Sequence, residues 1–249
     1  MTDAAVWTPL LTELDRWKVA GRSASFWLRD DDAVEPTPAL DRLLELTGRH
    51  GVPVLLAVIP VDTESPLALR LDTAPHADVA VHGWSHHNHA PPSEKKQELG
   101  RHRPAEVILS ELGAGYRHLA GLHAVRLVPV LVPPWNRIDA ALLPELPALG
   151  FRALSVFGPE QKTAVPVQVN THVDLMDWHG TRGGRETAAL VADIVARLRV
   201  TFETGGCVGL LSHHLVHDEA AWRFLESLFA VTVGHDGCRW RSISDLLPD

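Results

Sequence analysis

Four histidines fall within eight residues in the stretch His82-Gly83-Trp84-Ser85-His86-His87-Asn88-His89. Imidazole is the commonest protein ligand for transition metals, and His82 and His86 are four apart. That spacing brings two rings onto one ion if the residues between them form one turn. A carboxylate run, Asp30-Asp31-Asp32, lies upstream, and a histidine pair, His213-His214, lies far downstream. One Asp with two His makes a three-ligand site that keeps an open position, the catalytic type of zinc coordination. Such a metal lowers the pKa of a water and polarises a carbonyl oxygen. Of two adjacent carboxylates, one can ligate while the other stays free as a base, and His213 can protonate a leaving group. Plainer readings exist for each part. The histidines can be a surface loop, the acidic run can cap the following helix, and His213 can end a strand with no chemistry.

The elements around these residues give them a place. Ser25-Phe26-Trp27-Leu28 is β-prone and runs straight into Arg29-Asp30-Asp31-Asp32. Val52 to Ile59 and Cys207 to Leu211 are nearly continuous apolar runs, the composition of strands covered on both faces in a parallel sheet. Ala77 to Val81 leads into the histidine cluster, Leu127 to Val132 ends at Pro133-Pro134-Trp135-Asn136, and Arg152 to Phe157 is a further strand. Val165 to Val173 reads as a strand that ends in Asp174-Leu175-Met176-Asp177-Trp178. Helical spacing is expected over Ala5 to Lys18, Leu40 to Leu46, Ser65 to Leu71, Pro104 to Leu122, Ala140 to Leu149, Thr187 to Phe202 and Glu219 to Phe229. In the first of these, Leu10, Leu11, Leu14 and Trp17 share one side.

About seven alternations of strand and helix with short connections imply a parallel α/β sheet. At 249 residues a single (β/α) barrel spanning the whole chain is the expected form. An open doubly wound sheet is the alternative, but no Gly-x-Gly-x-x-Gly follows the first strand. In a parallel barrel the C-terminal strand ends meet on one face, where active sites are built. The acidic run, the histidine cluster, the proline turn, the Asp-Trp segment and His213 all sit at such ends. Asp31 and Asp32 pose a local problem, because adjacent side chains in an extended segment point to opposite sides unless the strand bends there.

Composition narrows the function. Apolar residues make up 45% and charged residues 22%, values of an ordinary globular protein. A formal net charge of −8 with no basic cluster argues against a nucleic-acid partner. Cys207 and Cys238 form neither a paired metal spacing nor a disulfide framework, which points to a reducing compartment. The first twenty residues mix Glu13, Asp15, Arg16 and Lys18 with apolar positions, unlike a secretion leader. No run approaches the roughly 18 apolar residues of a membrane span. A cytoplasmic protein without a membrane partner is expected.

Taken in order, these segments resemble the polysaccharide deacetylase family, the NodB-homology carbohydrate esterases that remove N-acetyl groups from sugars. The family's Asp-Asp pair corresponds to Asp31-Asp32, and its His-[Ser/Thr]-x-x-His is approximated by His82 to His86 with glycine in second place. Its Arg-x-Pro-x-Gly is met only in part by Val132-Pro133-Pro134-Trp135-Asn136. Asp174-Leu175-Met176-Asp177-Trp178 matches Asp-x-x-Asp-Trp, and Leu211-Ser212-His213 matches Leu-x-His. The resemblance implies a distorted seven-stranded barrel and a divalent metal, most simply zinc, on Asp32, His82 and His86. It implies Asp31 as base, His213 as acid, the Trp135 N–H as oxyanion donor and a pocket walled by Trp178 and Pro134. Asp174 is the usual partner of the family arginine that positions the base. Here that arginine is Val132, and Arg29 or Arg137 is the candidate substitute. The expected activity is N-deacetylation of an acetylated amino sugar or glycan precursor. Hydrolysis of a non-sugar amide or imide, or sugar binding without catalysis, are the rival functions.

Overall fold

The computed structural model describes residues 4–161 and 165–248. In chain order they form α1 (Ala4–Val19), β1 (Ala24–Ala33), α2 (Pro38–His50), β2 (Val54–Val58), α3 (Ser65–Leu71), β3 (Ala77–Val81), α4 (Ala105–Leu122), β4 (Leu127–Leu131), β5 (Ala153–Leu154), β6 (Val167–Gln168), β7 (Val173–Asp174), α5 (Thr187–Thr204), β8 (Cys207–Ser212), α6 (Glu219–Thr232) and β9 (Cys238–Trp240). Short 3-10 segments fill Pro134–Asn136, Ala140–Leu149, His214–Val216 and Ser244–Leu246. Strands alternate with helices and pair in parallel, which is the α/β class of the (β/α)-barrel type. Among the described residues, no helix is long and apolar enough to cross a membrane.

The chain resolves into two compact units. The first comprises the described residues of Met1–Asp30, with Pro38–Val54 and Thr171–Ser242. Its strands run β7-β8-β1, with β9 also on β1, and the register sets Arg29 opposite Leu211 and Asp30 opposite Ser212. All six residues of β8 are buried, as its apolar run requires. Helix α1 buries Trp7, Leu10, Leu14 and Trp17, whereas Leu11 is only half-buried. Helices α5 and α6 cover the same core with Leu190, Ile194 and Leu198, and with Phe224, Leu225 and Phe229.

The second unit holds Asp31–Thr37, Leu55–Asn170 and the described residues of Ile243–Asp249. Its strands run β6-β5-β4-β3-β2, and every residue of β2 is buried. The last residues of β1 also belong to this unit, where the Ile59 N–H donates to the Ala33 carbonyl at 3.0 Å. Two further bonds set the ends of its central strands. The His82 N–H donates to Val58 O at 2.9 Å, and the Val132 N–H donates to Val81 O at 2.8 Å.

Seven strands are expected from the sequence and nine form among the described residues. The expected strand over Val165 to Val173 splits into β6 and β7 because the Asn170 side chain displaces the ladder. Its Oδ1 accepts from Val156 N at 3.0 Å, and its Nδ2 donates to Gly158 O at 3.0 Å. The same contacts cut the expected strand over Arg152 to Phe157 to the two residues of β5. The ninth strand, β9, lies in a tail whose three residues carry no periodic signal. Ala140–Leu149 is a 3-10 segment rather than an α-helix, because Pro144 and Pro147 have no N–H for the α-helical ladder. The acidic residues Asp30, Asp31 and Asp32 lie inside β1 rather than at the start of α2.

Candidate metal site

In the second unit the last residues of β1 meet the residues that follow β3 and β4. The ligand atoms of Asp32, His82 and His86 all lie within 4.8 Å of one another. His82 is 1% exposed and its ring is fixed by its position at the end of β3. Its Nδ1 lies 2.9 Å from the Val132 carbonyl, which can only accept, so Nδ1 carries the proton. In the neutral ring Nε2 is then a lone pair, and it faces Asp32 Oδ1 at 3.1 Å. His86 Nε2 lies 3.3 Å from the same oxygen. Two imidazole nitrogens and a carboxylate oxygen turned toward one point are the donor set of a divalent metal. The residues present fit that group.

Electrostatics agree with the geometry. Burial opposes charge on His82, but its hydrogen bond to Asp32 and the charges of Asp31 and Asp32 outweigh this and raise its pKa. His86 goes the other way, lowered first by burial and then by the charge of His82, which outweigh the pull of Asp32. A cation between these groups would satisfy both at once, since it offers positive charge without a second proton. Asp31 is 2% exposed, and its charge acts on both histidines.

The backbone reaches this arrangement by leaving the ordinary regions. Asp32 has φ 73°, His86 φ 54° and Trp135 φ 54°. Left-handed backbone costs a non-glycine residue roughly 1 kcal/mol or more. The turn at Asp32 breaks the alternation of β1, so Asp31 and Asp32 are not held to opposite faces. The Trp135 ring lies 4.3 Å from the His86 ring, centroid to centroid. The Trp135 amide N–H has no acceptor among the described residues. Pro134 is buried against Gly83, and Arg137 donates to the Lys96 carbonyl at 2.9 Å.

Sequence reasoning missed Glu98, a fully buried carboxylate under the histidine loop. It accepts from Ser85 N at 2.8 Å, Ser85 Oγ at 3.1 Å and Trp84 N at 3.3 Å. No local pattern marks it, since it stands in a polar stretch after Lys95, Lys96 and Gln97. Within the cluster, His87 is exposed and its ring lies 5.1 Å from that of His89. Neither belongs to the three-ligand group.

The first unit carries the remaining motif residues. Trp178 Nε1 donates to Asp174 Oδ2 at 2.8 Å, and Asp174 Oδ1 accepts from Met176 N at 2.9 Å. The Trp178 ring meets His213 edge-on at 4.7 Å. Asp177 builds the turn that presents Trp178, accepting from Gly180 N and Thr181 N. His214 is buried, and its Nδ1 bonds to Asp30, which also accepts from His214 N at 3.0 Å and Ser212 Oγ at 2.6 Å. Burial pushes the Asp30 carboxyl up, but the charge and hydrogen bond of His214 leave it below its ordinary range. Arg29, also fully buried, lies one residue before it on β1.

No protein-family model matches the chain, and no curated protein does. Solved structures do. A Mycobacterium smegmatis protein described as a polysaccharide deacetylase superposes with a TM-score of 0.69 at 16% identity, over 90% of this chain and 89% of that one. The chain has the polysaccharide deacetylase fold. A family 4 carbohydrate esterase from Streptomyces lividans, in complex with acetate, matches with a TM-score of 0.59 at 17% identity, over 86% of this chain and 90% of that one. A mutant of a carbohydrate esterase family 4 pseudoenzyme with restored enzymatic activity matches at 0.61 and 16% identity, over 91% of this chain and 68% of that one. On this fold the five motif segments each stand at or just after a strand end, at β1, β3, β4, β7 and β8. Fold alone does not fix an activity, which is argued from the site.

One consequence concerns stability. His217 accepts from His213 N at 3.3 Å, and its ring packs on Trp222 at 4.5 Å. Burial drives its pKa down to about 4. The unfolded chain takes up this proton near pH 6.5, before the folded chain does. His217 therefore contributes to a stability that is present above about pH 6.5 and lost as pH falls toward about 4, by on the order of 3 kcal/mol. Denaturant unfolding of wild type and His217→Gln across that window checks it, with a flatter pH dependence expected in the variant.

Proposed function

We propose that this protein is a metal-dependent amide hydrolase that removes the acetyl group from an acetylated amino sugar or glycan precursor. The observation that carries the reading is the cluster of Asp32, His82 and His86, with Asp31 buried beside it, on the polysaccharide deacetylase fold. The three residues would hold a divalent metal, zinc by the nature of the donors. When bound, such a metal lowers the pKa of water and polarises the acyl carbonyl.

The residues of the chain supply the rest. Asp31 takes the proton of the attacking water, a role suited to a carboxylate that is not itself a ligand. The unengaged Trp135 N–H donates to the carbonyl oxygen as it becomes negative, and Pro133 and Pro134 have no N–H to compete. The Val132 carbonyl keeps His82 in one tautomer and one orientation. His213 as the acid that protonates the departing amine, and Trp178 as the wall against the acetyl methyl, rest on motif order. Asp174 holds the Trp178 indole and so sets where that wall stands.

One observation favours a second reading. Val132 occupies the place where the family motif has arginine, and a structural relative is a pseudoenzyme. A sugar-binding protein without turnover would keep the metal residues and lose the aid to the base.

Two experiments decide. Metal analysis of purified protein should find about one equivalent of divalent metal in wild type and in His89→Ala, and little in His82→Ala. Metal retained by His82→Ala would remove the assigned ligand set. Acetate release from a panel of N-acetylated amino sugars should occur with wild type and fall by about 10²-fold or more in Asp31→Asn. Protein that binds metal yet frees acetate from no sugar would exclude the deacetylase and leave the binding protein or a hydrolase of another amide.

A further inference from the structure

The loop that links the two histidine ligands has an unusual conformation, and its inward N–H groups share one acceptor. Gly83 has φ 65° and His86 φ 54°, so two of its five residues sit in left-handed backbone. Between them, the donors of Trp84 and Ser85 all turn inward onto one carboxylate, that of Glu98. Burying a carboxylate costs several kcal/mol unless hydrogen bonds replace its water, and these three donors do so. A concavity of successive N–H groups around an anion is a recognised backbone device, here closed by the Ser85 hydroxyl.

The loop and the carboxylate also exclude alternatives to each other. A Cβ on residue 83 would stand 2.1 Å from Glu98 Oε2 and 2.7 Å from the Pro134 ring. Glycine stands between the ligands because the Glu98 carboxylate fills the space where a side chain would go. Glu98 is itself held from both sides. Gln97 N donates to Asn88 Oδ1 at 2.9 Å, His89 N donates to Gln97 O at 3.1 Å, and Leu99 O accepts from Asp139 N at 2.8 Å. The bond from Asp139 to Leu99 fastens the carboxylate to a segment outside the histidine stretch, while the Gln97 bonds tie it to residues just past His86.

We propose that Glu98 is a positioning residue for the metal site: its carboxylate, gripping Trp84 and Ser85, holds His86 where its Nε2 meets Asp32 and His82. The proposal rests on reading Asp32, His82 and His86 as metal ligands. Glu98 touches neither metal nor substrate, and it acts through the loop. Without it, three inward donors lose their acceptor, and the loop relaxes toward ordinary backbone at His86. His82, fixed by the Val132 carbonyl, keeps its orientation.

The test is a competition titration of metal-stripped protein with Zn²⁺, on wild type, His82→Ala, Glu98→Gln and Glu98→Ala. Glutamine keeps one acceptor, but its NH₂ group meets an N–H donor head on. Zinc affinity should fall about 10-fold in Glu98→Gln and up to about 100-fold in Glu98→Ala. The stripped Glu98→Gln protein should melt cooperatively, close to stripped wild type. Cobalt(II) loaded into Glu98→Gln should give a visible spectrum altered from that of wild type, since the His86 nitrogen has moved. Wild-type affinity in both Glu98 variants overturns the proposal, as does a loss of zinc matched by a loss of fold in Glu98→Gln. If Glu98→Ala does not fold, Glu98→Gln alone decides. Wild type that takes up no zinc fails the ligand assignment instead, and the positioning role falls with it.

Discussion

The site in the second unit depends on one hydrogen bond, from His82 Nδ1 to the Val132 carbonyl. It joins the residue after β3 to the residue after β4, and both are fully desolvated. A carbonyl can only accept, so the bond dictates the tautomer and leaves the Nε2 lone pair facing Asp32. The parallel pairing of β3 and β4 sets the distance, and the Val132 N–H to Val81 carbonyl bond locks the register at the strand ends. Val132 thus has a structural task that any residue with a backbone N–H could fill, because the backbone performs it. Its side chain is where the departure from the family motif lies.

Around that bond the chain accepts local strain. Asp32, His86 and Trp135 are each left-handed, and each belongs to the site. Strained backbone persists only where surrounding contacts over-determine it. At His86 those contacts are the Glu98 carboxylate beneath the loop and the Trp135 ring beside it. At Asp32 the following residue, Ala33, is anchored by its bond from Ile59. The turn there is what lets neighbouring carboxylates take different roles.

The first unit shows a different use of the same residue types. Asp30 is the same residue type as its neighbours in sequence, yet it is fully buried and bound to Ser212 and His214. His214 is likewise sealed, whereas its neighbour His213 is half-buried with its ring against Trp178. The two histidines lie past the end of β8, where the 3-10 turn His214–Val216 begins, and that turn buries one ring and leaves the other half-buried. Asp174 and Trp178 meet through a turn built by Asp177, so this motif is as much about shaping a loop as about chemistry.

The apolar runs, their alternation with amphipathic helices and the polar residues at strand ends were all legible in the sequence, because burial and helical period are local properties of composition. So was the pair His82 and His86, since four-residue spacing is a local matter, whereas Asp32 joined them as a candidate ligand only through the family resemblance. The division of Val165 to Val173 into two strands was not, because it hangs on the Asn170 side chain bonding to residues more than ten positions away. Nor was Glu98, whose role depends on Leu99 being fastened to Asp139, and Gln97 to Asn88 and His89, so that its carboxylate lies under the histidine loop. The partner of Asp174 was equally hidden: an indole N–H four residues on, brought back by a turn. Residue types and their spacing determined which chemistry was available to this chain. Which nitrogen points at which oxygen was decided by strand register and by buried hydrogen bonds, which only the folded chain brings within reach.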